Sequence, residues 1–466
     1  MADNFSAYIC QNPLTSWREV LGYTLVVNHS RGELITLSEV AGLVWRSTST
    51  WVHTDQVVKT VQNEYDVDGE TAREDTLTFV KQLLKCGLLI AAPCAANTDY
   101  GGILKPEELS TDLCEQIPVE LRNLCRINLV PLIAYLELTL KCNLRCAHCY
   151  NAHRPQPELK ADEIKLVLDD LAKLGCLDLV FTGGEPCIRR DFEEILWYAR
   201  ERRFCITLKT NGTMIDAKLA SLLAKALVVE VHVSLYSLIQ AEHEGITRSP
   251  GSLTQTLRGI ECLLQEGVRV RLSCPITKLN CYSVRGIKEF AERIGASYGF
   301  DPIITARVDG SREPIDLRID IADWQKLLEN GLLTEIIYPN SFNVNDSSSM
   351  QLGKPKSTAD DELVCGAGSG SIAITAYGDV LPCLNLQIYV GNVLKDRLPN
   401  IWRYETAWHP IRTITPNHYT ECTGCNLVNY CPRCPGVALS ETGRMTAAVP
   451  ILCETASFYA QSRDLT

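Results

Sequence analysis

The sequence predicts an α/β protein built on a parallel, barrel-like sheet, with a small mixed domain ahead of it and a cysteine-rich domain behind. Three observations carry this. From Ile133 onward, six apolar strand-like runs alternate with amphipathic helical patterns at intervals of roughly 30 residues, the spacing of βαβ units. Before them, two strand-like runs are followed by three helical patterns. After them, seven cysteines fall at short spacings in the last third of the chain. At 466 residues the chain is long enough for roughly three domains of about 150 residues each.

Composition narrows the function classes. Hydrophobic content of 46% and charged content of 22% are those of an ordinary globular protein. A net charge of −11 argues against a nucleic-acid partner, which needs basic patches to replace phosphate counterions. The start, MADNFSAYICQNP, lacks the basic and apolar regions of a signal peptide. The greasiest stretch, LLKCGLLIAAPCAA, is short and contains Lys85, so no membrane span is expected. The expected location is therefore cytoplasmic, where 21 cysteines point to metal binding before disulfides. Eleven of them (Cys10, Cys86, Cys94, Cys114, Cys125, Cys176, Cys187, Cys205, Cys262, Cys274 and Cys281) fit no cluster spacing and read as small hydrophobes.

The first domain, residues 1–92, contains the runs YTLVVNHS (23–30) and GELITLS (32–38), joined at Arg31-Gly32. SEVAGLVWRS, HTDQVVKTVQNEY and TAREDTLTFVKQLLKCG follow as helices. The last sets Leu77, Val80, Leu84 and Leu88 on one stripe and ends at Gly87 as a C-cap. Residues 93–130, with Pro93, Asn97, Gly101, Gly102 and Pro106, read as a linker with one short helix. The third segment, residues 131–340, holds the strands IAYLELT (133–139), LDLVFT (177–182), CITLKT (205–210), VVEVHVSL (228–235), VRVRLSC (268–274) and SYGFDPII (297–304). Six right-handed strand–helix units fall short of a closed eight-fold barrel. Residues 341–466 form the cysteine-rich end.

Active sites on such sheets gather at the C-terminal strand ends, and the motifs fall there. Strand one runs into LTLKCNLRCAHCYN, where Cys142, Cys146 and Cys149 stand at C-x3-C-x2-C spacing. Three thiolates so placed can hold a cubane cluster and leave its fourth iron without a protein ligand, open to an exogenous molecule. Zinc would want a fourth ligand. Strand two ends in Thr182-Gly183-Gly184-Glu185-Pro186, whose glycines let the backbone approach a ligand. Strand three ends in Thr210-Asn211-Gly212 and strand four in Ser234-Leu235-Tyr236. His148 reads as a cover for the cluster rather than a ligand. At the far end, Cys365-x12-Gly378-x4-Cys383 precedes Cys422-x2-Cys425-x5-Cys431-x2-Cys434 and, later, Cys453. Two C-x2-C pairs are also the pattern of a zinc ribbon.

These motifs resemble those of the radical S-adenosylmethionine (radical SAM) enzymes. The resemblance implies a partial (β/α)6 barrel with a lateral opening. It also implies SAM chelated by the open iron of the Cys142, Cys146 and Cys149 cluster and cleaved reductively to a 5′-deoxyadenosyl radical. In that family the glycine–glycine–glutamate turn binds the SAM ammonium, which places Gly183, Gly184 and Glu185 there. Asn211 and Ser234 match positions contacting the ribose and carboxylate. The C-terminal cysteines closely match the SPASM extension, with one residue fewer between Cys431 and Cys434. Carried over, a first auxiliary cluster takes Cys365, Cys383 and Cys434, and a second takes Cys422, Cys425, Cys431 and Cys453. Three [4Fe-4S] clusters are thus implied. One auxiliary ligand is missing, which leaves either an open iron or a residue such as Asp361 or Glu362 to complete the set.

The first domain resembles the PqqD-like, winged-helix-like element that grips leader peptides as an extra strand. Here that would lie along Glu33 to Leu37, with Thr78, Val80, Lys81 and Leu84 nearby. A DNA-binding winged helix is disfavoured because helix two carries few basic residues. The whole resembles maturases that install thioether cross-links in sactipeptides and ranthipeptides, and HEGITRSPGS (243–252) and ITARVDGSREPIDLRI (304–319) are similar to runs of that group. The implied partners are a precursor peptide bound through its leader and an electron donor such as ferredoxin or flavodoxin. The same architecture serves carbon–carbon cross-linking, epimerisation and tyrosine-tail oxidation. Sulfatase maturation is demoted because Leu384, followed by Asn385, stands where those enzymes carry an acid. An electron carrier or leader-binding scaffold without catalysis is the non-enzymatic alternative.

Overall fold

The computed structural model describes residues 6–31, 33–92, 119–152, 154, 156–329 and 363–463. The chain divides into two compact units, Met1–Leu121 with Arg203–Cys205, and the remainder. Most of the anticipated linker, together with Cys94, Cys114, Asp361 and Glu362, lies outside the described residues. No helix among those described is long and apolar enough to cross a membrane.

The first unit contains two three-stranded sheets and three helices. The strands are β1 (Tyr8–Gln11), β2 (Thr15–Val20), β3 (Tyr23–Asn28), β4 (Glu33–Leu37), β5 (Val52–His53) and β6 (Leu89–Ala92); the helices are α1 (Glu39–Ser47), α2 (Thr54–Tyr65) and α3 (Gly69–Lys85). One sheet has the order β2-β3-β4 and the other β5-β1-β6. β2 and β3 turn on Leu21 and Gly22, both at positive φ, the geometry of a two-residue type I′ hairpin. The helix starts at Asp68, whose carboxylate accepts from the N–H groups of Glu70 and Thr71 at 3.0 and 2.9 Å. It ends with Gly87 at φ +69° and the Leu88 N–H reaching back to the Leu83 carbonyl, a Schellman closure. Ile9, Val26, Trp45, Val57, Val80 and Leu88 are sealed in the core. Two expectations need correction. Val80 is fully buried beside Leu83, so it offers nothing to a ligand, while Thr78 and Lys81 are exposed. The hairpin is also extended by β2, and β1, β5 and β6 form a second sheet whose pairings join segments remote in sequence. β4 bonds only to β3, leaving its other edge unpaired within this sheet.

The second unit begins within α4 (Val119–Ile127), at Arg122, and carries the predicted parallel strands: β7 (Ile133–Thr139), β8 (Asp178–Gly183), β9 (Cys205–Thr210), β10 (Glu230–Ser234), β11 (Val270–Pro275) and β12 (Ser297–Asp301). The last strand stops before Pro302, which cannot donate to a ladder. Between them run α5 (Ala161–Lys173), α6 (Phe192–Glu201), α7 (Ala217–Lys225), α8 (Gln240–Thr247), α9 (Ser252–Gln265) and α10 (Val284–Ile294), and α11 (Ile321–Glu329) follows. The cysteine-rich end continues the same sheet. β13 (Ser371–Ile374) lies parallel to β7, and β14 (Asp379–Leu381) and β15 (Gly391–Asn392) follow antiparallel. The order is β12-β11-β10-β9-β8-β7-β13-β14-β15, an open sheet. Leu136, Leu138, Ile206, Leu208, Val231, Val233 and Leu272 are fully buried on its helix-covered face. Alternation turns Tyr135, Glu137, Lys209, His232, Arg271 and Ser234 to the inner face.

Candidate cofactor and cluster site

The cysteine loop leaves the end of β7 and is fixed from several sides. The N–H groups of Arg145 and Ala147 donate to the carbonyls of Thr247 and Ile246 at 3.2 and 2.8 Å. The Leu144 N–H points at Cys142 Sγ, 3.4 Å away. Asn211 Nδ2 donates to Asn143 Oδ1 at 2.9 Å and lies 3.8 Å from Cys142 Sγ. Burial raises all three thiols, Cys146 to about 12, where the charges of Cys149 and Cys142 add to it, and the Cys149 charge also raises Cys142. Such thiols ionise when a metal coordinates them. Among the described residues no group of three or more His, Cys, Asp or Glu side chains closes on a single metal ion. A cubane, with one iron per cysteine, asks for the wider spread.

Around this loop lies a neutral aromatic shell. Tyr236 sits 3.9 Å from Cys146 Sγ and packs edge-on against His148, ring centroids 4.9 Å apart. Burial lowers the His148 and His243 imidazoles to about 4, so both are uncharged near neutral pH. His148 Nδ1 is buried without a hydrogen-bond partner, in keeping with a covering side chain.

The glycine turn presses directly on the loop. A Cβ on Gly183, whose φ is +134°, would stand 2.0 Å from the Thr139 carbonyl oxygen, and one on Gly184 2.3 Å from that of Lys141. The N–H groups of Gly184 and Glu185 instead donate to those two oxygens at 2.7 and 2.9 Å. Only glycine permits this approach. Glu185 is 0% exposed. Its carboxylate accepts from Thr210 Oγ1, the Asn211 N–H at 2.7 Å and the Cys187 N–H at 3.1 Å. It therefore braces the turn against the end of β9. Ser234 is half-buried at the end of β10, opposite Ser273.

The C-terminal cysteines separate into groups. Cys365, Cys383 and Cys434 stand together: burial lifts Cys383 to about 12, with the charges of Cys365 and Cys434 adding to it. Gly436 makes the approach possible, since a Cβ there would meet the Asn385 carbonyl oxygen at 2.4 Å. Cys422, Cys425 and Cys453 form a second group by the same mutual effect. Cys431 packs with Cys434 against Ile303 and Val437. The loop that is one residue short turns on Arg433, held at φ +47°, with its carbonyl accepting the Tyr419 hydroxyl at 3.0 Å.

Sequence reading passed over two titratable groups here. Glu137, 4% exposed on β7, has its carboxyl pushed up to about 7 by burial, against the Ala376 N–H and the Arg154 charge. Tyr150 is half-buried where the charges of Glu137, Cys149 and Cys383 all reach it. A lone acid inside an apolar strand was the available signal for Glu137.

Comparison with known proteins agrees with this geometry. Residues 136–292 match the radical SAM superfamily, 365–426 the iron–sulfur cluster-binding SPASM domain, and 23–89 coenzyme PQQ synthesis protein D (PqqD). The mycofactocin maturase MftC of Mycolicibacterium smegmatis is 30% identical over 314 residues, 65% of this chain and 77% of that protein. The chain belongs to the radical SAM/SPASM family. The AdoMet-dependent heme synthase of Nitratidesulfovibrio vulgaris is also similar, 28% identical over 69% of this chain and 91% of that protein. Among solved structures, Streptococcus suis SuiB bound to its precursor peptide SuiA matches 96% of this chain and 99% of that one, with a TM-score of 0.60 at 17% identity. The likeness to SuiB therefore extends over the whole radical SAM/SPASM architecture, PqqD-like region included.

SAM and iron–sulfur clusters are the cofactors of this radical SAM enzyme, and the residues present fit them. Three thiols share a loop with N–H donors aimed at sulfur, beside a backbone cradle that any Cβ would fill.

Proposed function

We propose that this enzyme oxidatively cross-links a ribosomally made precursor peptide, joining a cysteine sulfur to a carbon of an acceptor residue. The observation that carries the reading is a PqqD-like module on the same chain as a radical SAM barrel and a SPASM domain. SuiB, solved with its precursor peptide SuiA bound, and MftC, a mycofactocin maturase, support it. In this reading residues 1–92 hold the leader along the free edge of β4, residues 131–340 carry the chemistry and residues 341–466 hold two auxiliary clusters.

Cys142, Cys146 and Cys149 would hold the SAM cluster, with Gly183, Gly184, Glu185, Asn211 and Ser234 shaping the SAM pocket. Bound there, SAM and its cluster supply hydrogen abstraction from unactivated carbon. Cys365, Cys383 and Cys434 would hold one auxiliary cluster, and Cys422, Cys425, Cys431 and Cys453 the other, giving three in all. The chain's own part is to exclude water with the His148, Tyr236 and His243 shell and to keep the cysteine groups apart. A ferredoxin or flavodoxin of the cytoplasm would serve as reductant.

The test is co-expression with the small cysteine-rich open reading frame expected beside this gene, followed by tandem mass spectrometry. Each linkage should remove two hydrogens and protect one cysteine from alkylation. Hydrogens lost between carbons, with every cysteine still alkylated, would replace thioether formation by carbon–carbon cross-linking. The heme synthase relatives favour a second reading, a tetrapyrrole substrate. Conversion of an iron porphyrin precursor, with no change in the peptide, would establish it instead.

A further inference from the structure

The inner wall of the barrel carries a row of basic side chains. Register pairs Lys209 on β9 with His232 on β10, and His232 with Arg271 on β11, so the three stand at one level across neighbouring strands. The opposite face of the same strands is apolar and sealed under helices. Glu230, one step below, bonds His232 Nε2 at 2.7 Å, accepts from Ser297 Oγ at 3.1 Å and feels the Arg271 charge as well. Arg271 lies in a slot that Gly299 leaves open, where a Cβ would come within 2.6 Å of its Nη2. Lys209 is half-buried, with its ammonium 5.7 Å from the Tyr135 ring centroid, and no carboxylate lies within ion-pair distance of it among the described residues. In a chain of net charge −11, this row of three basic side chains runs against the whole, on a face that also carries Glu137 on β7 and Glu230 on β10. It sits one register step below Ser234 and Ser273, beneath the rim that carries the cysteine loop.

A cation held away from bulk water and left without an anion is stabilised when a ligand brings one. Small-molecule and peptide sites are recognised by such convergent polar groups in a concave wall. We propose that this row receives a carboxylate side chain of the substrate, an aspartate or glutamate of the peptide, with Lys209 as its ion-pair partner. The proposal rests on the peptide reading and names the residue class admitted to the barrel.

The test uses two acetylated pentapeptides, Gly-Cys-Gly-Asp-Gly and its Asn twin, with reconstituted protein and saturating SAM, followed by equilibrium dialysis. Saturating SAM removes SAM's own carboxylate as an alternative occupant. The Asp peptide should bind about tenfold more tightly, the scale of one partly desolvated ion pair. In Lys209→Met the two peptides should bind alike, and in Lys209→Arg the preference should persist. Equal binding of both peptides to the wild-type protein, including binding of neither, would overturn the proposal and needs no variant to fold. A preference that survives Lys209→Met would do the same, as would a loss of SAM affinity in that variant. Coproporphyrin III and its methyl ester form a separate arm. Lys209-dependent binding of the acid alone, with the peptides indistinguishable, would move the carboxylate to a tetrapyrrole and sink the peptide occupant. The peptide reading itself fails only through the precursor experiment above, so the two failures are separable.

Discussion

Thr210 Oγ1 donates to both carboxylate oxygens of Glu185, at 2.8 and 2.9 Å, and so ties the glycine turn after β8 to the end of β9. The Asn211 and Cys187 N–H groups complete the set around a carboxylate with no exposed surface. Deleting it leaves buried donors without acceptors, a cost of about 1–3 kcal/mol even before any ligand binds. Glu185→Ala should therefore lower the melting temperature of protein free of SAM and also weaken SAM binding. Glu185→Gln should fall between the two. A Glu185→Ala protein as stable as wild type without SAM, and weakened only in SAM affinity, would assign the carboxylate to the ligand alone.

Gly436 stands where the helix after Cys434 crosses Asn385, two residues beyond Cys383. An added Cβ at 2.4 Å from a backbone oxygen forces the two segments apart, and neither side is a flexible side chain. If Cys365, Cys383 and Cys434 hold an auxiliary cluster as proposed, Gly436→Ala should cost it, a loss of about four irons per chain, while 5′-deoxyadenosine formation persists. Wild-type iron content in this variant would show that the close approach is not needed for that cluster.

Much of this arrangement could be read from sequence, and the reasons are physical. The six parallel strands are legible because at least one face of each is sealed by helices and therefore apolar. The cysteine loops are legible because a cluster fixes ligand spacing along a local stretch. What escaped depends on pairing between distant segments. β1 and β6 find each other across some eighty residues, and β13 joins β7 from far beyond the barrel. The row of Lys209, His232 and Arg271 exists only once three strands are in register. Glu185 was anticipated as a ligand contact, yet its partners Thr210 and Cys187 emerge only from the folded turn.

The edge of β4, unpaired within its sheet, is where the proposed leader site is tested. If residues 1–92 serve only to hold a leader, their deletion should leave reductive SAM cleavage intact. Modification of a leader-bearing precursor should fall by one to two orders of magnitude, because the leader raises the effective concentration of the attached core. Liquid chromatography of 5′-deoxyadenosine and mass spectrometry of the peptide measure the two arms. Equal modification by the truncated and intact enzymes would give the unit another task.

Glu137 makes a prediction about pH. In the unfolded chain its carboxyl ionises near the ordinary 4.5, whereas burial holds it up at about 7 in the fold, with the nearby Glu158 charge acting the same way. Between these values the folded state binds more protons than the unfolded one. Stability contributed by this group is therefore complete below about 4.5, declines as pH rises, and is lost once pH has passed about 7. A shift of this size corresponds to about 3 kcal/mol at most. Glu137→Gln keeps an oxygen for the Ala376 N–H but cannot ionise, so its stability should gain on wild type steadily from pH 5 to pH 7 and run parallel above. Asp178, which burial also raises, to about 6, is present in both proteins and cancels in the difference. Urea unfolding at half-unit pH steps measures this directly. Parallel curves across the whole range would mean that the Glu137 carboxyl ionises in the fold as it does in the open chain.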